Sequence, residues 1–188
     1  MARVTFVKKA QKDVPNTDIK KGDSYYWWKF RFGGKHCSKT QPKRSQLTQS
    51  GFLGSLYDLQ DRIGEFTATD KDEFDNFKDE ILSEIEDLKS QCEDSLSNMP
   101  EHLQEGSSSG EMLTERIEAL DNWYSEIESV ECDYEEESIR DEKKTEYEKE
   151  EGELEDDYLE RIDQETADAI EQIVNDAVEE LSGTDCGL

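Results

Sequence analysis

Residues 24 to 32, Ser24-Tyr25-Tyr26-Trp27-Trp28-Lys29-Phe30-Arg31-Phe32, hold six aromatic rings and two cations and run into Gly33-Gly34. These types suit contact with nucleic acid: cations neutralise phosphates, rings stack on bases, and nearby hydroxyls donate to phosphate oxygens. Gly-Gly permits the positive φ angles of a two-residue hairpin turn, so Lys35 to Thr40 is expected to return antiparallel. Period-2 geometry then divides the hairpin into two faces. Tyr26, Trp28, Phe30 and Phe32 form a core face, and Tyr25, Trp27, Lys29 and Arg31 point the other way. With a two-residue loop, His36 falls beside Arg31, Ser38 beside Lys29 and Thr40 beside Trp27. Lys35, Lys39, Lys43 and Arg44 extend the cationic surface. Two plainer readings stand beside this one. A neighbouring helix could cover Tyr25 and Trp27 while the cations keep the sheet edges soluble, or the basic face could dock on an acidic protein surface, its own or another copy's.

Other reactive types are poorly arranged for chemistry. Cys37, Cys92, Cys132 and Cys186 are far apart, no C-x-x-C occurs, and the histidines are His36 and His102 alone. A structural zinc site needs four ligands, usually in close pairs. Only His36 and Cys37 adjoin, and a strand points them to opposite faces, which also argues against a nucleophile and base pair. Scattered thiols fit an intracellular protein. Carboxylates are abundant but sit in the most polar segments, whereas general acid-base work needs a desolvated pocket. No phosphate-binding loop, G-x-S-x-G or H-E-x-x-H is present. Neither a metal, a cofactor nor catalysis is expected.

The elements that position the aromatic run follow from composition. Residues 1 to 50 carry 12 Lys/Arg and 3 Asp/Glu, and the remainder carry 10 and 46, so a +9 segment joins a −36 segment. An apolar fraction of 32% is low for one thick core and suits a small module followed by thin helices with narrow seams. The expected fold class is α+β, mostly α: a small N-terminal antiparallel β-hairpin module, then acidic helical-hairpin or coiled-coil-like helices. Residues 1–45 form the basic aromatic β module. Residues 46–105 form amphipathic helices, with seams Phe52, Leu56, Leu59, Ile63, Phe66 and, after a Thr69 cap, Phe74, Phe77, Ile81, Ile85, Leu88, Cys92. Residues 106–110 read as a Gly/Ser linker, 111–182 as long acidic helices that open with the stripe Leu113, Ile117, Leu120, Tyr124, Ile127, Val130 and Tyr134, and 183–188 as a loose tail. Two helices of similar length around that linker suggest an antiparallel pair. The last apolar stripe, Ile162 to Leu181, must be received by the preceding helices or by a second copy, so a homo-oligomer is expected. The apolar stretch Val4–Val7 is too short for a signal peptide or a membrane span, which points to a cytoplasmic protein without membrane partners.

Residues 131 to 160 hold 16 Asp/Glu and 4 Lys/Arg. As one solvated helix of roughly 45 Å they would present one net charge per roughly 4 Å, against about 1.7 Å in duplex DNA. Imitation of DNA therefore requires doubling, by dimerisation or by helices folded back. The candidate acidic binding face comprises Glu135, Glu136, Asp141, Glu142, Glu146, Glu150, Glu153, Asp156 and Asp157.

Two stretches, Gly22 to Lys35 and Met99-Pro100-Glu101-His102-Leu103-Gln104 with Leu113-Thr114-Glu115-Arg116-Ile117-Glu118, resemble a group of small acidic proteins of tailed bacteriophages. That resemblance implies a host-cell cytoplasmic location and brings no activity with it. The Trp-containing hairpin with Gly33-Gly34-Lys35 also resembles the arm-type DNA-binding module at the start of tyrosine recombinases, although the acidic helices show no recombinase catalytic domain.

Three functions remain as expectations. The first is a non-enzymatic phage-type binding protein, its hairpin contacting nucleic acid or an acidic surface and its acidic helices serving self-association or host-protein capture. The second is an anti-defence or host-takeover inhibitor whose acidic helices occupy the DNA site of a basic host enzyme. The third is a structural or assembly role.

Overall fold

The computed structural model describes residues 2–149, 151 and 153–188; Glu150, expected on the acidic face, lies outside them. The chain is α+β and mostly helical. A three-stranded antiparallel sheet of order β1-β2-β3 is built from Thr5–Val7, Tyr25–Lys29 and Lys35–Ser38. After a 3₁₀ turn at Ser45–Leu47 come α1 (Gly51–Glu65), α2 (Lys71–Ser97), α3 (Glu101–Gln104), α4 (Ser108–Ser129), α5 (Glu136–Glu146) and α6 (Glu155–Ser182). Two compact units result, Met1–Arg62 and Ile63–Leu188. The first extends past residue 45, because the 3₁₀ turn and most of α1 belong with the sheet. Among the described residues no helix is long and apolar enough to cross a membrane.

In the first unit, β2 is the central strand and consists of the aromatic residues that favour a pleated, half-buried surface. It pairs with β1 through Thr5–Trp27, Phe6–Tyr26 and Val7–Tyr25. The long β1–β2 connection is pinned rather than loose. The Ala10 amide donates to the Asp23 carbonyl (2.8 Å), that of Gly22 to Ala10 (2.9 Å) and that of Val14 to Ile19 (3.0 Å), while Ala10 and Ile19 are buried. Gly22, at φ 103°, supplies a left-handed turn that a side chain would strain.

The β2–β3 register differs from the sequence-based expectation. Lys29 lies opposite Lys35, Trp28 opposite His36, Trp27 opposite Cys37 and Tyr26 opposite Ser38. The connection is residues 30–34, not Gly33-Gly34 alone, and the pairing has slipped by three, an odd number that moves every β3 side chain to the other face. A two-residue type I′ turn needs positive φ at both central residues; Gly34 does not have it. Gln49 instead donates its side-chain amide to the Phe32 carbonyl at 2.8 Å and holds the wider connection. The expected core face shrinks accordingly: Trp28 is buried at 5% exposure, but Phe32 is 75% exposed.

In the second unit, α2 and α4 form the antiparallel pair that their seams imply. Phe74, Ile81, Ile85, Leu88 and Cys92 on α2 and Leu113, Leu120, Trp123 and Ile127 on α4 are buried. Lys89 with Asp121 (2.5 Å), Lys78 with the Val130 carbonyl (2.5 Å) and Lys71 with Asp133 run along its flank in antiparallel order. The α2 cap is Asp70, whose carboxylate accepts from the Glu73 amide at 2.8 Å. Thr69 instead donates its amide and its hydroxyl to the Glu73 carboxylate.

The expected linker at 106–110 is ordered structure. Ser107 caps α4 by accepting from the Gly110 amide at 3.1 Å, and residues 108–110 are its first turn. Gly110 is a packing requirement, since a Cβ there would lie 2.1 Å from the Gln104 carbonyl oxygen.

Residues 131–160 are not one helix. α5 and the start of α6 run antiparallel, joined by Arg140–Asp163 (2.7 Å) and by the Tyr158 hydroxyl donating to the Tyr147 carbonyl at 3.1 Å. The few apolar groups in this acidic stretch are made to count by Arg161, whose guanidinium lies within 6 Å of both tyrosine rings and pairs with Glu153 at 3.0 Å. The α6 stripe Ile162, Val174, Ala177 and Leu181 is buried within the chain, so it supplies no argument for a second copy. The tail also differs from expectation: Thr184 and Cys186 are buried, because the Trp123 indole needs an acceptor and donates to the Thr184 hydroxyl at 3.0 Å.

Candidate nucleic-acid interface

Antiparallel pairing assigns each side chain of the sheet to a face. Tyr25, Trp27 and Lys29 of β2 share one face with Val7 of β1 and Lys35 and Cys37 of β3; Tyr26, Trp28, Phe6, His36 and Ser38 share the other. The first face is aromatic and cationic, as the sequence suggests, but with different partners. Lys35, expected to extend this face, lies on it opposite Lys29, and His36 leaves it. Lys29 directly opposite Lys35 is a like-charge pair that opposes strand pairing. The conflict is relieved because the Lys35 ammonium turns over the rings, 4.5 Å from the centre of Trp27 and 5.8 Å from that of Tyr25.

The remaining sequence candidates do not form one patch. His36 stacks on Trp28 with ring centres 5.5 Å apart and meets the edge of Phe30. Arg31 sits on the β2–β3 connection with its guanidinium over Phe32, where it borders a second concavity with Arg3 and Lys29. Lys39 pairs with Asp23 at 2.9 Å. The Asp23 carboxyl is held below its ordinary range chiefly by the Lys20 amide and then by Lys39. Lys43 pairs with Asp61 at 3.7 Å, and Arg44 lies 4.2 Å above the Tyr57 ring. Both therefore anchor α1 to the segment before it.

Two lysines that the sequence does not single out join the interface. Lys9 and Lys12, on the β1–β2 connection, line a cavity of about 430 Å³ with Tyr25, Lys35, Asp13 and Pro15. Neither makes an ion pair among the described residues. Recognising them requires knowing that β1 pairs with β2 and brings its loop over Tyr25. The only hint in the sequence is the alternation of Val4 and Phe6 with polar neighbours.

The acidic candidates divide similarly. Asp141 pairs with Lys144 (2.9 Å), Glu146 with Lys143 (2.9 Å) and Glu153 with Arg161, leaving the Glu153 side chain 14% exposed. Glu135 accepts from the Ser138 hydroxyl. Glu142, Asp156 and Asp157 are exposed, the last two at the start of α6. Glu136 is exposed at the edge of a cavity of about 750 Å³ in the second unit, rimmed also by Asp70, Asp163, Glu171 and Arg140. Among the described residues no group of three or more His, Cys, Asp or Glu is placed to hold a metal ion. No protein-family model, curated protein or solved structure matches the chain.

Proposed function

We propose that this is a non-enzymatic, phage-type binding protein whose aromatic and cationic sheet face engages nucleic acid. The observation that carries the reading is the Tyr25, Trp27, Lys29 and Lys35 face, in which one ammonium lies over two rings. Such a cation-ring contact at an exposed site is worth about 0.5–1 kcal/mol. A base that stacks on the freed ring contributes about 1–3 kcal/mol, and the displaced ammonium is then available for a phosphate. The exchange favours the ligand. The reading is one of binding because the charged groups of the face are the solvated ammonium groups of Lys29 and Lys35, which suit phosphate contact. The test is fluorescence anisotropy of the full chain with labelled single-stranded oligonucleotides across a salt series. Affinity should fall steeply with salt, and Trp27→Ala and Lys29→Ala should each weaken it by roughly tenfold. Absence of binding at low salt ends this reading.

A second reading rests on the folded-back α5 and α6, in which acidic helices occupy the DNA site of a basic host protein. α5 nets −2 and the facing residues 155–165 net −5. Over the roughly 16 Å of α5 this is about one charge per 2.4 Å, close to the roughly 1.7 Å of duplex. Competition between this protein and DNA for a basic host enzyme, weakened by neutralising Glu142, Asp156 and Asp157 together, is the outcome this reading requires.

A further inference from the structure

The cavity beside the sheet face is more selective than the face itself. Its walls come from three places: the end of β1, the pinned connection carrying Lys9, Lys12 and Pro15, and the β2 and β3 residues Tyr25 and Lys35. The backbone bonds of Ala10, Val14 and Gly22 and the burial of Ala10 and Ile19 fix that connection, so the cavity exists before a ligand arrives and little ordering cost remains. About 430 Å³ lies within the roughly 300–1,000 Å³ of pockets that hold small organic ligands. Three ammonium groups and one carboxylate line it. The carboxylate, Asp13, already accepts from the Lys21 amide at 2.8 Å and lies 3.8 Å from the Lys20 ammonium, so the lining stays positive overall. A ring, three cations and a concave shape match one nucleotide, its base on Tyr25 and its phosphate among the lysines.

We infer that this cavity receives a single unpaired nucleotide, so that the protein selects single-stranded nucleic acid over duplex. The inference rests on the nucleic-acid reading of the sheet face and adds the class of ligand. In a duplex each base has both faces covered by its neighbours, and a ring set inside a concavity cannot reach it without paying to unstack it. An unpaired base enters freely. Lys35 links the two parts, since it borders the cavity and caps Trp27: as it turns to a phosphate in the cavity, the Trp27 ring is uncovered for the next base.

The test uses the full chain and three labelled probes of the same sequence: single-stranded DNA, single-stranded RNA and blunt duplex DNA. Lys9→Ala with Lys12→Ala removes the cavity cations on an exposed connection where neither makes an ion pair among the described residues, and an unchanged thermal midpoint confirms the fold. The expected result is that the wild-type chain prefers at least one single-stranded probe by tenfold or more. The double variant should lose that preference, and its single-strand salt slope should drop by about 0.7, the value for one phosphate contact. Adenosine monophosphate should compete with the single-stranded probe for the wild-type chain and not for the variant. Equal affinity for single strand and duplex, or an equal small loss on both in the variant, overturns the cavity while leaving the sheet-face reading intact. Binding of polyglutamate as tightly as of the oligonucleotides, or binding of no nucleic acid, overturns both.

Discussion

Residues 1–62 carry 13 Lys/Arg and 5 Asp/Glu, whereas residues 63–188 carry 9 and 44, and the two units use their cations differently. In the first, Lys35 lies over Trp27 and Tyr25, Arg31 over Phe32 and Arg44 over Tyr57, while Lys20, Lys39 and Lys43 meet Asp13, Asp23 and Asp61. In the second, Lys71, Lys89, Arg140, Lys143, Lys144, Lys149 and Arg161 lie on carboxylates, and Lys78 on backbone carbonyls. A cation on a ring can leave for about 0.5–1 kcal/mol. One that leaves a carboxylate adds an uncompensated charge to a unit already at net −35. The basic unit thus keeps Lys9, Lys12 and Lys35 off carboxylates and open to an incoming anion, whereas the acidic unit commits most of its cations to carboxylates, several of them between elements. Lys71 and Asp133 show the latter use: each shifts the other's protonation equilibrium, the lysine upward and the carboxyl downward.

Surface ion pairs contribute little to stability, so the acidic unit must stand on its thin apolar seam, and disrupting that seam should produce the largest effect. Trp123 is 1% exposed, and its indole holds Thr184. Trp123→Ala should cost about 3–5 kcal/mol in urea unfolding followed by helical circular dichroism. Trp123→Phe should cost less, because it retains most of the ring volume. A cost under about 1 kcal/mol for the alanine variant would mean that charge pairing carries the unit after all.

The next largest effect belongs to Gly110. Because its missing side chain admits the Gln104 carbonyl, Gly110→Ala forces the start of α4 away from α3 and should cost about 1–3 kcal/mol, the usual range for overpacking. A Gly within a flexible linker would instead be neutral or slightly stabilised by alanine. The sign of the change decides between the two descriptions of residues 106–110.

The sequence makes the helical half legible and the sheet half only partly so, for one physical reason. Seams at three- and four-residue spacing, such as Phe74 to Cys92, are local, and α1, α2 and α4 follow from them. Strand register is non-local. It turned on Gln49 reaching the Phe32 carbonyl and on Gly34 lacking a positive φ, neither of which any pattern within residues 24–40 encodes. The candidate face survived the slip because Tyr25, Trp27 and Lys29 lie on one strand, while on the partner strand His36 left the face and Lys35 lies on it. Lys9 and Lys12 were hidden for the same reason, as were the burial of the tail under Trp123 and the doubling back of α5 on α6.

Salt should separate the two units by sign. Raising ionic strength from about 0.01 M to about 1 M shortens the screening length from about 30 Å to about 3 Å. The self-repulsion of the acidic unit fades over that range faster than its few pairs weaken, so the thermal midpoint of the helical transition should rise. Oligonucleotide affinity at the basic face should fall over the same range. A midpoint that falls with salt would show that the pairs of Lys71, Lys89 and Arg140 outweigh the repulsion around them.

The smallest effect at neutral pH, and the most local, concerns the cysteines. Cys37 is half-buried on the sheet face, while Cys92, Cys132 and Cys186 are buried in the helical unit. Burial pushes the Cys186 thiol up to about 11 from an ordinary 9.0, with Asp185 adding to the rise. A thiol raised in the fold favours the folded state fully below its unfolded value, and that contribution is lost as pH climbs from 9.0 towards about 11. Cys186→Ala should therefore change little near pH 7 yet flatten the alkaline limb of the stability curve. In the wild-type chain an aromatic disulfide reagent at pH 8 should modify Cys37 first. Rapid modification of Cys186 would place the tail in solvent rather than under Trp123, and would remove the Trp123–Thr184 contact that ties the end of the acidic unit into its apolar seam.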